Sequence, residues 1–113
     1  LYSGSNNATE VGWVEENMVD FGQHPGGGKA PNELGIYDMT GNVNEWCLDF
    51  YGPYPEDPQT NPTGPEQNEY TLHVVRGGAF HNDSLGWGRN TRRQSYPENY
   101  AVLDIGLRLV LNI

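Results

Sequence analysis

The sequence predicts an α+β domain that is mostly loop, with a few short antiparallel strands and little regular helix. Three observations carry this. Glycine and proline are abundant, 15 and 8 residues in a chain of 113, and the apolar share, 35%, lies below the usual globular level. Three Trp and seven Tyr argue against disorder, because chains that stay unfolded are poor in aromatics. Where apolar residues do recur regularly, the period is two, the spacing that lines one face of a strand.

Residues 1–34 are polar and rich in glycine, and "HPGGGKAPNELG" is their densest turn signal. Val11 and Trp13 alternate briefly, as a short strand or packed loop would, and "NMVDFG" has too few periodic positions for a helix. The first apolar cluster follows: Ile36, Tyr37, Met39, Val43, Trp46, Leu48, Phe50 and Tyr51. Within it "EWCLDFY" reads as a strand with Trp46, Leu48 and Phe50 on one side. Residues 52–69 hold five prolines and two glycines, which forbid helix and sheet ladder alike and predict a long surface loop. Loops of that length in a compact domain are often functional. "YTLHVVRGGAF" reads as a strand ending in a glycine pair, residues 81–101 as another loop, and "DIGLRLVLNI" as a last strand with Ile105, Leu107, Leu109 and Leu111 on one face. The length allows one domain, residues 1–113. The opening "LYSGSNNATEVGW" reads as mid-loop, a cut end or deletion rather than a natural start, without a signal peptide.

Charge narrows the partners. Fifteen acidic residues against six basic give a net charge of −9, the wrong sign for nucleic acid, whose binding rests on phosphate neutralisation. No apolar run reaches the ~18 residues of a membrane span. Cys47 is the sole cysteine, so neither an internal disulfide nor a cysteine-rich metal site can form, and a buried structural thiol is expected. His24, His73 and His81 are scattered without a metal-ligand spacing. Asn7 in N-A-T and Asn82 in N-D-S match the glycan acceptor pattern, which carries little weight here.

"PNELGIYDMTGNVNEWCLDFY", "VVRGGAF" and "IGLRLV", in this order and at these separations, resemble the formylglycine-generating enzyme family, also called the sulfatase-modifying factor domain. The resemblance covers most of the chain from Pro31 onward and about the C-terminal half of a full family domain. It implies a C-type-lectin-like fold of short twisted strands and long ordered loops. Family members include copper-dependent oxidases that convert a sulfatase cysteine to formylglycine, iron-dependent relatives, and lectin-like scaffolds that present variable binding surfaces; many relatives are bacterial.

The resemblance also implies sites. The copper cysteines would follow the Arg-Gly-Gly motif, where this chain carries Asn82 and Trp87; neither supplies a thiolate, so copper is not expected. A calcium site would use Asp38 and Glu45 side chains with the carbonyls of Gly41 and Val43. Hard oxygen donors around a glycine turn suit Ca²⁺, while Asp38 and Asn42 capping their own turn is the competing reading. Asn44 departs from the family's tryptophan and implies an altered cleft. Residues 79–101 hold the amino acids of recognition loops, giving His81, Asn82, Asp83, Trp87, Arg89, Asn90, Arg92 and Tyr96 as a candidate binding loop. Gly77 and Gly78 are expected to permit close chain packing, and Arg108 to form an ion pair. The sequence therefore predicts a calcium-stabilised, non-catalytic module, extracellular or periplasmic, that binds a protein or a glycan-like ligand. Exposed strand edges would allow a homodimer. The alternative is a sulfatase-modifying oxidoreductase whose metal ligands lie elsewhere.

Overall fold

The computed structural model describes residues 1–67 and 71–111. A helical turn, α1 (Ala8–Val11), runs straight into β1 (Gly12–Trp13). Asn7 starts the turn, its side-chain oxygen accepting from the Thr9 amide at 3.2 Å. A 3₁₀ turn covers Glu15–Asn17, and Asn17 Oδ1 accepts back from the Val14 amide at 2.8 Å. β2 (Thr40–Gly41) then pairs with β1 in parallel.

That two-residue crossing fixes the composition at its centre. A Cβ on Gly12 would stand 2.1 Å from the Thr40 carbonyl oxygen, and one on Gly41 would stand 2.1 Å from that of Trp13. Gly41 also has φ +72°, where a side chain is strained.

The main sheet contains β3 (Asn44–Phe50), β4 (Leu72–Arg76), β5 (Gln94–Pro97) and β6 (Ile105–Leu107) in the order β5-β4-β3-β6. β3 and β4 pair antiparallel as the sequence predicts, whereas β5, antiparallel to β4, forms within residues 81–101, which the sequence reads as loop: Gln94–Pro97 lies against residues 72–75 and completes the ladder there. β6, however, joins β3 in parallel, through Asn44↔Ile105, Glu45↔Gly106 and Trp46↔Leu107. Parallel neighbours need a crossover of a dozen or more residues, and the long path from β3 supplies it. β6 is also shorter than expected: Leu109, Val110 and Leu111 lie beyond it and are exposed. The expected strand positions Tyr70, Asn112 and Ile113 lie outside the described residues.

The core differs from the apolar cluster at 36–51. Tyr2, Ala8, Val11 and Val14 form one buried group from the polar-looking N-terminal stretch, and Val74, Val75, Ala79 and Phe80 are buried elsewhere along the chain. Leu48, by contrast, is 90% exposed, and Ile36, Tyr37 and Met39 lie at the surface. Alternation identified a strand correctly; it did not say which face the rest of the chain covers. A chain of hydrogen bonds ties the N-terminus down: the Tyr2 hydroxyl donates to Ser84 Oγ at 3.1 Å, and the Ser84 hydroxyl donates to Glu16 Oε1 at 2.6 Å.

Candidate functional site

The loop between β2 and its flanks has two roles. Asn42, at φ 65°, accepts from the His24 amide at 2.8 Å and donates to the His24 carbonyl at 3.0 Å. Asp38, at φ 57°, accepts from the Gly27 amide at 2.6 Å through Oδ2. The amides and carboxylates of this loop thus hold the distant glycine-rich segment 24–28, rather than capping their own turn. His24 stacks on Trp13 with ring centroids 3.8 Å apart, and the Lys29 ammonium lies 4.1 Å from the Trp13 ring.

Asp38 and Glu45 converge on one cation, Arg108. Its Nη2 donates to Glu45 Oε1 at 2.6 Å and to the Asp38 carbonyl at 3.2 Å, and its Nε donates to Glu45 Oε2 at 2.9 Å. The Glu45 hydrogen bond is the main cause that holds the Arg108 guanidinium above its ordinary pKa. Do these residues fit the calcium that the fold family implies? Asp38 Oδ1 is buried without a hydrogen-bond partner among the described residues, the condition of an oxygen reserved for a cation. Glu45 keeps spare acceptor capacity, since a carboxylate offers about four lone-pair positions and Arg108 uses two. The set fits.

The predicted binding loop divides into three groups. His81, Asn82 and Asp83 turn to internal partners. His81 Nε2 lies 3.4 Å from Asp104 Oδ2. Asn82 Oδ1 accepts from the Ala79 amide at 2.9 Å, and Asp83 Oδ1 accepts from the Gly86 amide at 2.6 Å, capping a π-helical turn over Ser84–Gly88. Arg89, Asn90 and Arg92 are exposed at the edge of a cavity of about 370 Å³ floored by Gly77 and Gly88. The Arg92 guanidinium lies 4.4 Å from the Trp87 ring, fixing both side chains. Tyr96 sits apart on β5, stacked on Tyr100 at 4.7 Å. Gly78, at φ +74°, allows this turn to approach: a Cβ there would meet the Trp87 carbonyl oxygen at 3.2 Å.

Asn44 is 2% exposed and structural, its amide nitrogens reaching the Asp104 carbonyl at 2.8 and 3.4 Å where β6 begins. Cys47 is half-buried on β3 and faces a second, larger cavity beneath the proline-rich loop. Sequence reasoning missed Arg93 and Tyr54 at that cavity. The signal available was the dipeptide Arg92-Arg93 together with tyrosines in a loop already marked as long.

A fold of short strands and long ordered loops, with this order of motifs, defines a C-type-lectin-like domain of the formylglycine-generating type. The model of the Sulfatase-modifying factor enzyme 1-like domain matches residues 2–113, and the chain belongs to that family. It is 35% identical to the chaperone protein LppX of Paenibacillus barcinonensis over 133 residues, covering 96% of this chain and 40% of that protein. It is 33% identical to the formylglycine-generating enzyme of Streptomyces coelicolor over 82 residues, covering 69% of this chain and 26% of that enzyme. Among solved structures it resembles Treponema denticola variable protein 1, with a TM-score of 0.76 and 25% identity over 92% of this chain and 38% of the other. The chain thus spans 40% or less of the length of these relatives. Among the described residues no helix is long and apolar enough to cross a membrane.

Proposed function

We propose that this chain is a non-catalytic binding module of the family, stiffened by calcium, that engages a protein or glycan-like ligand through the edge formed by Trp87, Arg89, Asn90 and Arg92. The observation that carries this reading is the content of the two positions after the Arg-Gly-Gly motif: an amide, Asn82, that closes a turn on Ala79, and an indole, Trp87, under an arginine. Neither is a thiolate, and soft thiolates are what select Cu(I). The likeness to a variable protein supports a scaffold that presents a surface. Asp38 and Glu45, with the carbonyls of Gly41 and Val43, would hold the calcium, which would fix the loop that grips residues 24–28. An extracellular or periplasmic location suits such a site, because weak calcium modules work at the high calcium of those spaces.

Metal analysis of the purified protein, with thermal unfolding before and after chelation, tests the reading. About one equivalent of calcium, abolished in Asp38→Ala, with a lower Tm in chelator, is expected. Stoichiometric copper or iron would overturn the non-catalytic reading in favour of the sulfatase-modifying oxidoreductase.

A further inference from the structure

A cavity of about 880 Å³ lies between the proline-rich loop and one face of β3 and β4. Ligand sites commonly span roughly 300–1,000 Å³. Its floor carries Cys47 and Asp49 from β3 and Val74 and Arg76 from β4. The roof is proline-rich and closed at its base: a Cβ on Gly52 would meet Pro65 Cγ at 2.8 Å, and one on Gly64, at φ +79°, would meet Asp49 Cβ at 2.9 Å. The loop therefore closes on itself at Gly52 and touches the sheet at Gly64, and the space beneath it is formed before any ligand arrives.

Two of the chain's six cations line this space. The Arg93 guanidinium lies 3.8 Å from the Tyr54 ring and 4.6 Å from the Tyr51 ring. Arg76 donates to the Asn90 and Arg92 carbonyls at 3.2 and 3.0 Å and to the Tyr54 hydroxyl at 3.3 Å. Among the described residues neither guanidinium has a carboxylate within 4.0 Å, although the chain carries 15 acidic residues. Rings, carbonyls and a hydroxyl orient these cations without neutralising them. Around them the walls are mixed, with Phe50, Val74 and several prolines as the apolar part beside Asp49 and the polar loop residues 59–61 and Thr63.

We propose that this cavity binds a carboxylate carried on an apolar body, with Arg93 as the principal charge partner, Arg76 as the second, and the proline roof and Phe50 covering the apolar part. Planar guanidinium groups pair with carboxylates through two parallel hydrogen bonds, and a stacked guanidinium loses little freedom in doing so. The site shares Arg76 with the cavity at the Trp87–Arg92 edge, but its principal charge, Arg93, lines this cavity alone, and the proposal does not depend on the role of that edge. The carboxylate has two sources, a free organic acid or an acidic side chain on a partner's peptide.

Hippurate, with its methyl ester as the uncharged counterpart, probes the first source. A blocked tetrapeptide with one glutamate, against its glutamine counterpart, probes the second. Each is titrated into the intact chain, and binding is read by calorimetry and by protection of Cys47, the sole thiol, from alkylation. In each pair the acid is expected to bind at least about tenfold tighter than its neutral form and to slow alkylation. Arg93→Gln should lose that preference while Lys29→Gln, on the Trp13 side, keeps it. Preference for hippurate alone assigns a free acid, and preference for the glutamyl peptide alone assigns a partner; both support the site. Acids that bind no better than their neutral counterparts, or an equal preference in Arg93→Gln, overturn it. Should Arg93→Gln unfold, Arg93→Lys retains the charge without the planar fork and is expected to weaken the preference.

Discussion

Arg108 grips Glu45 with two hydrogen bonds, at 2.6 and 2.9 Å, and the pair joins the end of the short edge strand β6 to the start of β3. β6 has only three ladder residues, so a large part of its attachment is this side-chain fork. Arg108→Ala is expected to lower stability by about 1–2 kcal/mol, between an exposed pair and a buried one. Arg108→Lys should recover less than half, because an ammonium cannot match the fork. Thermal unfolding of the three proteins checks the order.

Glu16 gives the fold a sensitivity to acid. Burial alone would push its carboxyl up, but bonds from the Ser84 hydroxyl and amide outweigh this, and the group sits below its ordinary value of 4.5. A depressed carboxylate contributes stability in full above that ordinary value, and loses it as pH falls through the folded value. The Tm gap between the parent and Glu16→Gln is therefore expected to be widest near neutrality and to close as pH falls below 4.5. A gap that stays constant over that range would count against the Ser84–Glu16 bond.

The β1–β2 crossing predicts a sharp contrast among glycines. Gly12→Ala places a methyl 2.1 Å from a backbone oxygen, whereas Gly22→Ala meets nothing within 4 Å. We expect at least about 3 kcal/mol of destabilisation, or failure to fold, for the first, and less than about 0.5 kcal/mol for the second. Soluble yield and denaturant midpoints of both variants decide it.

Burial raises the Cys47 thiol above its usual range, outweighing the opposing Arg76 charge. Its alkylation at about pH 7.5 should be slower than that of a free thiol. It should quicken as pH rises past about 9, and become fast in denaturant. An equally fast reaction in the native chain would mean that the thiol is open to solvent.

Much of this organisation was written in local patterns. The glycine pair before Ala79, the proline run and the alternation in β3 each act through backbone geometry, which a short window contains. The core was less legible. Tyr2, Val11 and Val14 stand among polar residues with only the brief Val11–Trp13 alternation to mark them, and the Tyr2–Ser84–Glu16 bonds that tie this segment down join residues far apart in sequence. The direction of β6 was equally hidden, since alternation is the same in parallel and antiparallel pairing. At the candidate site, the run of oxygen-bearing side chains is visible in the sequence, but the loop's grip on residues 24–28 depends on a separation of 18 residues between Asn42 and His24. Arg93 escaped notice because its stacking on Tyr51 and Tyr54 joins two loops.

The bond from Tyr2 to Ser84 spans 82 positions. Closing so large a loop costs entropy that only later contacts return. Refolding should accordingly run in roughly milliseconds to seconds rather than microseconds. Until it is complete, Val11, Val14 and Phe80 remain bare, so the unfinished chain is most prone to aggregate through these side chains.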